Sequence, residues 1–274
     1  MKTAILRRRK LGKTSCAEIK KLSSEDIQVI RNDHRIPDDL DIVFRWGCTS
    51  NIPGMPLITN NAKAIHLVSD KSAFRAVLEA EGLCPKTWFR TDDDITYPCI
   101  VRPRYHHQGR NVHYCTDAIE LSIACALCGV DYYISEYIDK VAEYRIFVVQ
   151  GRCVCVAKKT PADENAIAWN VAQGGRFDSV RWSDWPLKAV KIGIQAFNLS
   201  GLDFGGVDVM VDGEGECYVL EINSAPSLTS PYRQQCMAKA FDYIIREGKE
   251  HFQNIGELPK GGYKKFIHPA IFEE

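Results

Sequence analysis

The chain has 274 residues, 45% hydrophobic and 26% charged, which supplies a sizeable core and excludes a disordered, collagen-like or coiled-coil reading. Lys and Arg number 35 against 35 Asp and Glu; a chain that grips nucleic-acid phosphates across its surface is ordinarily basic, so nucleic acid is not an expected partner. No apolar run approaches a membrane span, and Ala4-Ile5-Leu6 ahead of Arg7-Arg8-Arg9-Lys10 is too short for a signal-peptide core, so the expectation is a cytoplasmic protein without a membrane partner.

Along the chain, the strand-like runs Thr3–Leu6 and Asp41–Trp46 alternate with polar, helix-compatible stretches such as Cys16–Leu22, which reads as a small α/β lobe. Asn51-Ile52-Pro53-Gly54-Met55-Pro56 is a loop by its Pro and Gly. Asp70 caps a predicted helix that carries Phe74, Val77, Leu78 and Glu81 and stops at Gly82, with Pro85 beyond. Cys99–Arg102 reads as a strand ending at Pro103. Asp117 with Glu120 resembles a capping box for a helix ending at Gly129.

Strands are predicted at Tyr132–Ile138 and at Arg145–Val149, the second turning at Gln150-Gly151 into Cys153–Ala157. A helix runs through Val190, Ile194 and Phe197 to Gly201. A hairpin joins Val207–Val211 to Cys217–Asn223 through Asp212–Glu216, and a last helix lies around Gln234–Arg246. Helices and strands mix without strict βαβ alternation, so the fold class reads as α+β lobes rather than one doubly wound sheet.

Eleven cysteines sit mostly among apolar neighbours, where a free thiol acts as a small hydrophobe. With no secretory signal, no disulfide framework is expected. Cys125-Ala126-Leu127-Cys128 has the spacing of half a zinc site, but it falls inside a predicted helix and no second such pair follows.

The chemistry concentrates in the last hairpin. Glu221 and Asn223 share a strand face while Leu220 and Ile222 share the other. Folding at Glu214-Gly215 brings Asp208 opposite Glu221, so two carboxylates and an amide oxygen converge. The plain reading is solvated polar residues on an edge hairpin. Two carboxylates embedded in apolar strands favour a hard cation instead, because unpaired buried carboxylates are costly and oxygen donors suit magnesium. A second candidate is Arg102 with Tyr105-His106-His107-Gln108-Gly109-Arg110-Asn111, a strand ending in a cation and a polar loop in which Gly109 and Asn111 tolerate positive φ. Alone it reads more readily as a solvated basic loop than as a phosphate cradle, and His106 and His107 as solvated or phosphate-contacting rather than acid–base residues. Glu136-Tyr137-Ile138 and Glu143 form a third candidate, a strand end that offers backbone groups to an adenine edge and a carboxylate to ribose; a surface glutamate is the plain alternative.

In this order the motifs resemble the ATP-grasp superfamily of carboxylate–amine ligases. Asp70-Lys71 with Gly82-Leu83-Cys84-Pro85-Lys86-Thr87 looks like its opening segment, and 102–112 like its phosphate-binding strand and lid. Glu136 and Glu143 match hinge and ribose positions of D-alanine–D-alanine ligases, and Asp208, Glu221 and Asn223 the magnesium ligands. Glu143-Tyr144-Arg145-Ile146-Phe147-Val148-Val149 and Trp169-Asn170-Val171-Ala172-Gln173-Gly174-Gly175 resemble the ribosomal-protein glutamate ligase type and its peptide-modifying relatives. Arg102 stands where the family usually has Lys, and Gly206 where D-alanine ligases have Arg.

The resemblance implies an ATP-grasp fold: an N-terminal α/β lobe over 1–64, a small lobe over 65–130 and a large lobe over 131–274, the last two clasping ATP. It implies an ADP-forming ligase that joins a carboxylate to an amine through an acyl phosphate, with one or two Mg²⁺ ions, or Mn²⁺, on Asp208, Glu221 and Asn223. ATP would contact Lys71, Arg102, Gly109, Glu136, Tyr137, Ile138, Glu143 and Lys158, and the acyl intermediate Asn170, Lys159 or Arg176. A homodimer is a further expectation. Two alternatives stand beside this: a catalytically silent ATP-binding regulatory protein, and a ligase with a macromolecular acceptor such as a peptide or modified nucleic acid.

Overall fold

Three sheets organise the chain. The computed structural model describes residues 1–91, 94–104, 111–163, 167, 169 and 174–253. At the N-terminus, β1 (Thr3–Arg7), β2 (Ile27–Arg31), β3 (Ile42–Trp46) and β4 (Leu57–Thr59) are parallel, in the order β2-β1-β3-β4. β1 and β3 are buried along their whole length, as parallel strands covered on both faces must be. Helix α1 (Lys13–Leu22) links β1 to β2. Strand order reverses between β1 and β3, the place where such sheets open a crevice beyond the strands' carboxyl ends.

Helices α2 (Ala62–Ser69) and α3 (Lys71–Ala80) follow, α3 capped as expected by Asp70, which accepts from the Ala73 N–H at 3.1 Å. The second sheet is antiparallel, β5 (Thr87–Trp88), β6 (Cys99–Pro103), β7 (His113–Cys115) and β8 (Tyr132–Glu136), in the order β5-β8-β6-β7. Helix α4 (Ala118–Cys128) packs on it through Leu121, Ala124 and Cys125. Asp117 accepts from the Ile119 and Glu120 N–H groups, while Glu120 reaches back one residue further, to the Thr116 N–H.

The third sheet is antiparallel: β9 (Lys140–Val149), β10 (Arg152–Thr160), β11 (Arg176–Ser179), β12 (Phe204–Asp212) and β13 (Cys217–Asn223), in the order β11-β10-β9-β12-β13. Helices α5 (Leu187–Ser200), α6 (Pro231–Glu247) and α7 (Lys249–Gln253) complete the described chain. The strand expected to run to Ile138 stops at Glu136, and the one expected from Arg145 begins at Lys140.

One face of this sheet, carrying Ile146, Val148, Val207 and Val209, packs against α2, α3 and α5 through Ile65, Phe74, Leu78, Val190 and Phe197. Helices α2 and α3 therefore share the core of the large sheet although they precede the small one. On the opposite face Phe147, Val149 and Phe204 join Phe44 and Trp46 of the N-terminal sheet and Phe241 of α6, with the Phe44 and Phe241 rings stacked at 4.0 Å. Further along β9, β10 and β12 that same face turns from aromatic to charged. The segment after β13 meets the N-terminal sheet: the Leu228 N–H donates to Ser15 Oγ at 3.0 Å, and a Cβ on Gly47 would stand 2.8 Å from Ala225 Cβ. Among the described residues no helix is long and apolar enough to cross a membrane, and all eleven cysteines are free thiols.

Candidate active site

Strand alternation carries the charged end of the face. Glu143 and Arg145 precede Phe147 at intervals of two, so all three project the same way. On β12, Asp208 pairs with Arg145 on one side and with Glu221 on the other, and on β10 Lys159 pairs with Glu143. The hairpin register shifts between Asp208 and Val209, a bulge that re-aims the strand at the site.

Asp208 is 2% exposed and accepts from three cationic donors: Arg145 Nε to Oδ1 at 2.5 Å, Arg145 Nη2 to Oδ2 at 2.7 Å and Lys159 Nζ to Oδ2 at 2.7 Å. Lys159 also donates to Glu143 Oε1, and Lys140 Nζ reaches Glu143 Oε2 at 2.6 Å. Lys71, the first residue of α3, donates to Glu221 Oε2, and Asn223 Nδ2 donates to Glu221 Oε1 at 3.1 Å.

Burial would push the Asp208 carboxyl up, but Arg145 and Lys159 outweigh it and hold the group below the ordinary carboxylate range. Burial acts likewise on Glu221, where Lys71, then Lys159 and Arg145, win and keep it ionised. Burial would lower the Lys159 ammonium, yet Asp208 and Glu143 raise it. Lys140 ends lowered, because there burial exceeds the attraction of Glu143. Four cations thus face three carboxylates, an excess of positive charge suited to an arriving polyanion.

Aromatic rings bound this cluster. The Arg145 guanidinium lies 4.7 Å from the Phe177 ring centre and the Lys159 ammonium 5.6 Å, while Lys140 stands 4.7 Å from the Trp169 ring. Arg145 passes over Gly206, where a Cβ would meet Arg145 Cδ at 3.2 Å and Pro226 Cβ at 3.0 Å. The guanidinium beside Gly206 is thus delivered from the neighbouring strand.

Asp208, Glu221, Asn223, Lys71, Glu143 and Lys159 are thus brought together. Arg102 lies on β6 beside the cluster; its field acts on Lys140, and its Nε is buried without a hydrogen-bond partner among the described residues. Arg104, two residues on, holds Asp70 through Nε at 2.9 Å and ties the start of α3 to the small sheet. At the end of β8, the Glu136 N–H donates to the Lys86 carbonyl at 2.9 Å and the Tyr137 N–H to that of Pro98 at 3.2 Å. Ile138 lies between β8 and β9, and the Tyr137 ring stands edge-on to Tyr114.

Lys158 and Arg176 are not brought in. Neighbours along a strand point to opposite faces, so once Lys159 faces Glu143, Lys158 cannot. Arg176 shares the face of Lys158 and Asp178 and pairs with Asp178 at 3.1 Å on the exposed edge strand. Gly109, His106, His107 and Asn170 lie outside the described residues.

Asp208, Glu221 and Asn223 offer only oxygen donors, which suits a hard cation such as Mg²⁺ when phosphates and water complete the shell. Among the described residues no group of three or more His, Cys, Asp or Glu converges on one point. Arg145 and Lys140 were not among the expected site residues. Arg145 was legible, since it lies two residues beyond Glu143 on the same strand face.

A family model described as a RimK-like ATP-grasp domain matches residues 87–244. A D-alanine–D-alanine ligase of Anaeromyxobacter dehalogenans (strain 2CP-C) is 23% identical over 252 residues, covering 79% of this chain and 81% of that protein. A probable alpha-L-glutamate ligase 2 of Hahella chejuensis is 25% identical over 256 residues, covering 85% and 82%. Among solved structures, the D-alanine–D-alanine ligase from Bacillus anthracis superposes with a TM-score of 0.67 at 15% identity, covering 92% of this chain and 98% of that one. The ATP-grasp ligase PsnB, complexed with a minimal precursor, does so with a TM-score of 0.64 at 12% identity, covering 88% and 98%.

Proposed function

The chain belongs to the RimK-like ATP-grasp family of ADP-forming carbon–nitrogen ligases, and we propose that it activates a substrate carboxylate with the γ-phosphoryl group of ATP and passes the acyl group to an amine. The observation that carries this reading is the cross-strand pair Asp208–Glu221, the first carboxylate buried and the second half-buried, held by Lys71, Arg145 and Lys159. Phosphoryl transfer asks a protein for charge neutralisation and alignment more than for covalent help.

In the first step a carboxylate oxygen bonds to the γ-phosphorus, the bond to the β-phosphate oxygen breaks, and ADP leaves. In the second the amine nitrogen bonds to the acyl carbon, inorganic phosphate departs, and the nitrogen loses a proton. Lys71 and Arg102 bind phosphates, and Arg145 and Lys159 neutralise the charge that develops on the transferred group and the acyl phosphate. Glu136, Tyr137 and Ile138 frame the adenine. Glu143, buried between two lysines, positions Lys140 and Lys159 in this reading instead of accepting from ribose hydroxyls. Asp208, Glu221 and Asn223 would hold Mg²⁺, which supplies Lewis-acid charge to the β- and γ-phosphates when bound. The nucleotide site lies between the small and large sheets, and the crevice of the N-terminal sheet takes the acceptor.

The test is turnover with Mg·ATP in a pool of amino acids, polyamines and short peptides, read by mass spectrometry, with Glu221→Ala as the blank. ADP together with a condensate lighter by one water is expected; AMP would overturn the acyl-phosphate route. The likeness to PsnB with its bound precursor favours a second reading in which the acceptor is a peptide. Product only with peptides in the pool would select it. ATP binding without ADP formation across the pool would move the protein toward the silent, regulatory alternative.

A further inference from the structure

Helix α4 shows solvent an apolar face that no described element covers. Ile119, Ile123 and Leu127 are each more than half exposed, and Val130, just past the helix end, is 97% exposed. The opposite face, with Leu121, Ala124 and Cys125, packs on the small sheet. Of the eleven helix residues only Glu120 is charged, and its carboxylate turns back to accept from the Thr116 N–H and hydroxyl. A helix apolar on every side is ordinarily buried on every side. Single exposed hydrophobics are common, but a contiguous set marks a contact surface.

The pattern on that face fits itself. Ile119, Ile123 and Leu127 recur every four residues and form one ridge; Ala118, Ser122 and Ala126, also exposed, recur beside it and form a shallow groove. Rows of this spacing on two helices interdigitate at a crossing of about −50°, so the ridge of one copy lies in the groove of a second. A two-fold interface requires such a self-complementary patch. Charge selects the antiparallel sense. Parallel copies would set Asp117 and Glu120 of each against those of the other, whereas antiparallel copies hold these acids about 16 Å apart, the length of the helix, and oppose the helix dipoles. Roughly 60–120 Å² of apolar surface leaves water for each large side chain covered. The four from each copy thus supply the apolar centre of an interface of about 1,200–2,000 Å² in total.

We infer that the outer face of α4 is an interface between two copies of this chain, packed antiparallel about a two-fold axis near Ile123. Ile119 of one copy then meets Leu127 of the other. Nothing in this inference uses the charged cluster, so it stands apart from the ligase reading.

The test is sedimentation velocity of the full chain from about 1 to about 100 µM. The unaltered chain should form a dimer that dissociates on dilution. Ile123→Glu, which puts a charge at the centre of the contact, should weaken that dimer by about a hundredfold or more. Ile119→Glu and Leu127→Lys should each dissociate it, and the double variant should restore it, because the antiparallel sense sets 119 against 127. On one helix these positions lie about 12 Å apart, so the two charges do not pair within a copy. Glu and Lys are good helix formers on an exposed face, and circular dichroism checks the fold; should Ile123→Glu fail to fold, Ile123→Ser provides the same contrast. A monomer at every concentration overturns the proposal and leaves the face to a different partner. A dimer indifferent to the change at Ile123, or a double variant no tighter than the single ones, overturns it as well.

Discussion

Arg145 grips Asp208 from the adjacent strand through both carboxylate oxygens, at 2.5 and 2.7 Å, with both side chains out of water. A pair so placed holds its geometry only while both members are present. Removal of Asp208 strips the buried guanidinium of its paired carboxylate, and removal of Arg145 leaves Asp208 with Lys159 as its contacting cation, at a cost of up to about 3–5 kcal/mol.

Arg145→Met should therefore lower the unfolding free energy by about that amount in urea titrations. Asp208→Asn should do the same, and the double variant should lose distinctly less than the sum of the two. Strict additivity would mean that the pair is not coupled in solution.

The parity of β10 separates two adjacent lysines. Lys159→Ala should reduce ADP formation by about 10²-fold or more, as loss of a charge aimed at the transition state does. Lys158→Ala, on the outer face, should leave it within about twofold. Comparable losses in steady-state assays of the two variants would contradict the face assignment.

Gly206 leaves room for Arg145. In Gly206→Ala the new methyl meets Arg145 Cδ and Pro226 Cβ at 3.2 and 3.0 Å, an overpacking worth about 1–3 kcal/mol. Because the flexible partner is Arg145, the substitution should depress kcat by a larger factor than it alters the nucleotide's KM, while the circular dichroism spectrum stays unchanged.

The thiols give a pH test of burial. Burial pushes the Cys99 thiol up to about 12 and the partly exposed Cys128 up to about 11. Only a small thiolate fraction exists near neutrality, so alkylation of the folded chain by iodoacetamide should be slow and should accelerate with each unit of pH toward 11 for Cys128. Peptide mapping should find Cys128 modified before Cys99. Rapid labelling of Cys99 at neutral pH would show that the small sheet opens.

The hairpin was legible because its chemistry is local. Its turn residues place the fold near Glu214, and the bulge between Asp208 and Val209 shifts the register by the one residue that sets Asp208 against Glu221. The cap at Asp70 and the helix from Ala118 were equally readable, since each rests on residues within one turn. The α+β class and the ATP-grasp resemblance agree with the structure and its relatives. What escaped depends on distant pairing. The three-residue β4, the two-residue β5 and the four-residue edge strand β11 are too short to show a period. The choice between Lys158 and Lys159 needs the register of β10 on β9, which slips between Cys153 and Cys155, so counting along either strand alone cannot settle it. The packing of α2 and α3 on the large sheet was hidden by chain order, because burial patterns name a face and not its partner.

In the proposed reaction the hairpin carboxylates would hold the metal of the bound nucleotide. Electron paramagnetic resonance of Mn²⁺ with a non-hydrolysable ATP analogue measures this directly. The unaltered chain should bind Mn²⁺ tightly only when the analogue is present, and Glu221→Ala, folded by circular dichroism, should lose that nucleotide-dependent binding. Equal Mn²⁺ binding by both proteins would contradict the account.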